Sequence, residues 1–330
     1  MAVEQIHTNP SIYCVKTPLM TFGLGFVKSF FIHIDDEWLM VYTGAPHEES
    51  YELLEEALSE LDIDKSKLRV FLTHLHLDHA GQLDRLFSQG IAIYLGKTDL
   101  AVAEPTAAAA RGEDIYERLL AEGLTEDVAD QGRRLYKNPL YFTPRLHRLH
   151  LLEDGSQITV GNTVFKILEL RGHTSGHLAL WEPESGLLFS GDHILFDRLS
   201  GLHWDSSDDD IITAYANSLL RLKELPVQTA LSSHDEQNRP ASERIDIMIE
   251  KRRVRAESLI ELIRATPGIN CNRLIQKMSW NIPYAEWESI PLIQRFYIAL
   301  EVVCTLDHLV KTGRAERDCD AEGLLHYRVG

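Results

Sequence analysis

A chain of 330 residues is long enough for a catalytic domain plus a smaller partner, and 44% apolar with 25% charged residues lies near the soluble globular average. No apolar run approaches the roughly eighteen residues a membrane-spanning helix needs, and the first ten residues lack the basic-then-apolar pattern of a secretion signal, so no membrane association and a cytoplasmic location are expected. The net charge of −17 repels polyanions, which disfavours nucleic acid as a partner. Residues 245–330 hold as many basic as acidic side chains, so the acidic excess lies upstream. Cys14, Cys271, Cys304 and Cys319 form no C-x-x-C pair and read as packing residues rather than as zinc ligands or disulfides.

In chain order, "IYCVKTP", "FVKSFFIHI" and "EWLMVYTG" read as strands, the last two joined at Asp35-Asp36. "YELLEEALSELDI" (51–63) carries leucines at helical spacing and precedes a short strand, "KLRVFLTH". This strand, helix, strand order points to an α/β layered domain. An Ala-, Glu- and Arg-rich segment, 99–137, predicts two or three helices, as a lid, a homo-oligomer contact or a surface layer over the sheet. Strands return in "ITVGNTVFKILEL", "HLALWEP" and "GLLFSGD", followed by a helix ending before Pro226 and the strand "VQTALSSH".

After Pro240 the pattern changes to a long amphipathic helix over 244–266, a short one near 272–278, a third around 291–312 and a hairpin-like tail. The predicted division is a catalytic domain over 1–243 and a winged-helix-like C-terminal domain over 244–330. "EKRRVR" (250–255) reads as the solvated face of a helix, too small a basic patch for a nucleic-acid groove.

The chemistry concentrates in "THLHLDHAG", residues 73–81. His74 and His76 are two apart at the end of a predicted strand, a spacing that points both side chains to one face, and a turn carrying Asp78 and His79 can aim them at a second ion. A lone His-x-His is weak evidence, since histidines often make structural hydrogen bonds. Three later matches strengthen it: "LRGHTSGH" places His173 after a strand, "LLFSGDH" places Asp192 at the end of the next, and "TALSSH" places His234 at the end of another. Ligands of open α/β sheets gather at the C-terminal ends of strands, so four segments converge on one rim.

With these residues in this order, the sequence resembles the metallo-β-lactamase-fold hydrolase superfamily over roughly residues 10–240. The resemblance implies an αββα sandwich with His74, His76 and His173 around one metal, Asp78, His79 and His234 around a second, and Asp192 bridging both. Two divalent ions are implied, zinc first, with iron or manganese compatible with the same N/O donors. The implied reaction is hydrolysis of a small ester, thioester or lactone by a metal-bridging hydroxide, with Asp78 as an additional proton carrier. Alternative family activities are a mononuclear-iron persulfide dioxygenase using His74, His173 and Asp192, and hydrolysis of RNA or DNA.

Two departures stand out. The family commonly has an aspartate before "TG" in the preceding strand, where this chain has Tyr42 in "MVYTG", and a glycine after the last metal histidine, where His234 precedes Asp235. Tyr42 either weakens metal binding or supplies a substitute hydrogen bond. His177 and His193 are read as supporting rather than ligating residues. His203 and Trp204 lie on a loop where the family often lines its pocket, as substrate contacts or as ordinary loop packing. "TPLMTFGLGF" (17–26) is a flap or a plain hairpin.

Overall fold

The computed structural model describes residues 3–19, 25–87, 90–137, 142–206, 210–284 and 286–329. The tip of the expected flap, 20–24, lies outside them. The described residues form two compact units, one of 1–103, 139–200 and 220–244, the other of 104–138, 201–219 and 245–330.

The first unit is built on two sheets. Strands β1 (Val3–Thr8), β2 (Ser11–Leu19), β3 (Gly25–Ile34), β4 (Glu37–Val41), β5 (Arg69–Phe71), β6 (Ala92–Gly96) and β7 (Arg148–Leu152) pair in that order. Pairing is antiparallel from β1 through β4 and parallel from β4 through β7. The second sheet has the order β12 (Thr229–Ser232), β11 (Leu187–Gly191), β10 (Leu178–Glu182), β9 (Thr163–Glu169), β8 (Gln157–Val160), with β11 and β12 parallel.

Alternation along the strands builds the layers. On β3 and β4, Phe30, Ile32, Leu39 and Val41 face inward against Phe165, Ile167, Leu180 and Phe189 of the second sheet, and Phe30 meets Phe189 edge-on at 5.4 Å. Phe31 and Met40, one residue out of phase, face the other way onto Leu54, Ala57 and Leu58 of helix α1 (Glu48–Glu60). Phe30 is fully buried, and truncating such a side chain to alanine costs about 3–5 kcal/mol. The fold is the expected αββα type. β1 and β6 were not foreseen: β1 is an edge strand whose half-exposed residues carry little pattern, and β6 is a five-residue apolar run that a helix could equally contain.

Further along the same unit lie the short helices α2 (Leu77–Ala80), α3 (Leu83–Leu86) and α4 (Lys97–Ala103). The second unit holds α5 (Pro105–Ala121) and α6 (Glu126–Lys137), most of α7 (Ile211–Lys223) and α8 (Ala241–Ala265), then α9 (Cys271–Lys277), α10 (Leu292–Lys311) and the hairpin β13 (Glu316–Cys319)–β14 (Leu325–Arg328). One junction between the units lies between Arg244 and Ile245, and residues 104–138 and 201–219 group with the C-terminal residues. The reason is packing: α6 lies against α5 and α10, and a Cβ at Gly132 would sit 2.6 Å from the Phe296 ring, so the glycine lets α6 and α10 approach closely. Residues 104–137 are therefore part of the helical core of the second unit. Among the described residues no helix is long and apolar enough to cross a membrane.

Candidate metal centre

The site is assembled from segments that leave β5, β9, β11 and β12 at their C-terminal ends. β5 ends at Phe71, earlier than expected, so His74 and His76 stand on an extended turn rather than on a strand; His76 is the residue before α2, with ψ of 154°. Their rings still approach to 4.5 Å between centroids, edge to face. α2 then carries Asp78 and His79 in a single turn. Backbone bonds pin this turn: the N–H of Thr43 donates to the His79 carbonyl at 2.7 Å, and that of Gly81 to the Gly44 carbonyl at 2.9 Å. His173 follows β9, Asp192 follows β11, and His234 lies two residues beyond β12. Gly191, with φ of 55°, is required beside Asp192 because a Cβ there would lie 2.6 Å from His177 and 2.7 Å from Thr73.

One donor atom from each of His74, His76, His173 and Asp192 lies within 4.8 Å of the others, and the same holds for Asp78, His79 and His234. The Asp192 carboxylate reaches both groups, at 3.5 Å from His173 Nε2, 3.4 Å from His79 Nε2 and 3.3 Å from His234 Nε2. Asp78 Oδ2 is 3.2 Å from His234 Nε2 and 3.5 Å from His79 Nε2. His173 Nε2 is 3.0 Å from His76 Nδ1. Two donors bound at about 2.0–2.1 Å to one tetrahedral zinc stand roughly 3.3 Å apart, so the observed spacings suit a shared ion.

Three of the ring nitrogens turned away from the centre are occupied, whereas His79 Nδ1 has no hydrogen-bond partner among the described residues. Thr73 Oγ1 lies 2.9 Å from His74 Nδ1, Ser200 Oγ 3.1 Å from His173 Nδ1, and His234 Nδ1 donates to the Phe26 carbonyl at 2.9 Å. By contrast, the buried Nε2 atoms of His74, His79 and His234 have no hydrogen-bond partner among the described residues. Orphaned imidazole nitrogens gathered in one place, with the opposite nitrogens of His74 and His234 held, suit a metal-binding set.

Electrostatics agree. Burial, reinforced by neighbouring imidazoles, pushes His74 well below the ordinary histidine range, and burial with His173 beside it pushes His76 down to about 3. Burial opposes charge on Asp78, but His79 and His234 outweigh it and hold its carboxyl at about 2. Asp192 is likewise held well below the carboxylate range against its burial, by His234 and His79. Burial alone would depress His234, yet Asp192 and Asp78 raise it well above 6.5. His74 and His76 are therefore neutral and Asp78 and Asp192 ionised, with a proton on His234 that an arriving cation must displace.

Tyr42 is fully buried in the left-handed region (φ 68°), and its ring meets that of His79 edge-on at 4.6 Å. Its hydroxyl faces Thr73 without a well-formed hydrogen bond among the described residues, so Tyr42 supports His79 by ring packing instead of by a substitute hydrogen bond. His177 is buried under His74, 5.0 Å away and near-parallel, and His193 lies 5.5 Å beyond it; neither belongs to the two donor groups. His203 and Trp204 are built into the second unit: His203 stacks on Tyr136 at 4.8 Å, and the Trp204 indole donates to Asp307 at 2.9 Å. Sequence reasoning missed Thr73, Ser200 and Asp99. Asp99 accepts hydrogen bonds from Thr174 Oγ1 (2.8 Å) and the Gly176 N–H (2.6 Å) and so shapes the His173 loop. Thr73 adjoins the histidine motif and was open to notice; Ser200 and Asp99 carry no local signal.

Comparison with known proteins is consistent with this centre. Residues 22–234 match the family model described as the metallo-beta-lactamase superfamily. The Bacillus subtilis protein YqjP, named a probable metallo-hydrolase, is 25% identical over 269 residues, covering 79% of this chain and 82% of that protein. Hydroxyacylglutathione hydrolase of Rhodospirillum rubrum is 31% identical over 110 residues, 30% of this chain; the chain spans 38% of that enzyme's length. The crystal structure of a metallo-beta-lactamase family protein from Thermus thermophilus superposes with a TM-score of 0.78 at 21% identity, covering 97% of this chain and 98% of that one, which establishes a shared fold.

Proposed function

The chain belongs to the metallo-β-lactamase superfamily and is a metal-dependent hydrolase, and on that premise we propose that it hydrolyses a small ester, thioester or lactone at a centre of two divalent ions, zinc by preference. One observation carries this reading: two donor groups of matching chemistry share the carboxylate of Asp192. His74, His76 and His173 would hold one ion and Asp78, His79 and His234 the other. When bound, such a pair acidifies water into a nucleophile near neutral pH and polarises the substrate carbonyl.

The remaining work falls to side chains. Asp78, its side chain 18% exposed against 10% for Asp192, is the more open carboxylate. Held ionised, it is suited to take a proton from the attacking water and pass it to the departing thiolate or alkoxide as the acyl bond breaks. The partial likeness to a hydrolase of acylated glutathione supports a thioester within this class.

Elemental analysis of the purified protein, paired with a panel of thioesters, esters, lactones, phosphodiesters and persulfides, tests the reading. About two divalent ions per chain with acyl hydrolysis is expected. One iron per chain with thiol-dependent oxygen uptake would instead make the protein an oxidising member of the superfamily.

A further inference from the structure

We propose that Asp235 is a positioning residue that sets His234 and Asp192 at the distance a second ion needs. The inference rests on the dinuclear reading above.

Asp235 follows His234 directly, and its side chain is committed on both oxygens. Oδ2 accepts the backbone N–H groups of Phe196 (2.7 Å) and Asp197 (2.9 Å), and Oδ1 accepts the Ser232 hydroxyl at 2.5 Å. Phe196 and Asp197 belong to the loop that begins at Asp192, and Ser232 ends the strand that leads to His234. One buried carboxylate, 4% exposed, therefore couples the segments bearing two of the donors.

The backbone on either side is stapled to a third segment. The ammonium of Lys28, itself 3% exposed, donates to the Asp235 carbonyl at 2.5 Å and to Glu236 at 3.1 Å, and the Lys28 N–H donates to the Ser233 carbonyl at 2.8 Å. With the His234–Phe26 bond, this fixes the 232–236 turn on β3. A glycine at 235 would keep these backbone links and lose three side-chain bonds, two of which hold the Asp192 loop. Asp192 also belongs to the first donor group and Ser200 lies on the same loop, so the first group is reached as well, while His74 keeps its own support from Thr73 and His234, the neighbour of Asp235, takes the larger effect.

The test is a cobalt(II) titration of the full chain, following the visible spectrum in competition with a chelator. The wild type binds two ions. Asp235→Ala and Asp235→Gly are expected to weaken the second affinity by roughly 10- to 100-fold and alter its spectrum, with a smaller loss at the first. Asp235→Asn restores the second site, because its carbonyl can still accept both amides and the Ser232 hydroxyl can turn to accept from its NH2. Asp235→Glu, one methylene too long, does not. Equal second-site affinity in the wild type, alanine and glycine variants overturns the positioning role. If the truncated variants do not fold, equal affinity in the asparagine and glutamate variants does the same. A wild type that binds fewer than two ions overturns the dinuclear reading itself, and this inference with it.

Discussion

His76 Nδ1 and His173 Nε2 face each other across 3.0 Å although 97 residues separate them in the chain. In the absence of a cation one nitrogen must donate to the other, whereas a shared ion would need both as acceptors. His76→Ala is expected to lose metal and turnover together, turnover by more than the roughly 100-fold that loss of an outer hydrogen-bond partner costs. His76 makes no side-chain cap to α2, so the fold should survive. Metal content and far-UV circular dichroism check this; turnover at the parental rate would refute the assignment.

Tyr42→Phe removes a buried hydroxyl with no well-formed bond while keeping the ring against His79. Deleting such a group is nearly neutral or stabilising by about 1 kcal/mol, so melting temperature and metal content should hold or rise slightly. A clear drop in metal affinity would show instead that the hydroxyl does the supporting.

For Trp204, a structural role predicts that Trp204→Phe lowers stability by about 1.5–3 kcal/mol through loss of its bond to the Asp307 carboxylate, with KM unchanged. Thermal unfolding and a substrate titration separate the cases. A raised KM at unchanged stability would restore Trp204 as a substrate contact.

Glu301 gives the second unit a pH dependence. Its carboxylate accepts from Arg252 at 2.7 and 2.9 Å and pairs with Arg255 at 2.8 Å. Burial opposes its charge, yet the two guanidinium groups win and hold its pKa below the ordinary 4.5. A depressed folded-state pKa contributes stability that is fully present above pH about 4.5 and is lost as pH falls through the folded value. Glu301→Gln should cost about 3–5 kcal/mol at neutral pH, since Arg252 stays buried, and should shrink the further loss on acidification. Denaturant unfolding at about pH 7, 5 and 3.5 measures both.

The seven side chains that the fold gathers into two groups were legible in the string because histidines and aspartates stand out where apolar runs stop at glycine, serine or histidine. Alternation likewise exposed β3, β4 and β9, whose faces must differ to bury one side. Which chain segments share a core was not legible: the grouping of residues 104–138 with the C-terminal helices depends on Gly132 yielding space to Phe296, a match of shapes 164 positions apart that leaves no local trace. The supports from Ser200, Asp99 and Asp235 were hidden for the same reason. A hydrogen bond between distant segments imposes no periodicity on either, so chain order determined the donors while tertiary packing decided how they are held.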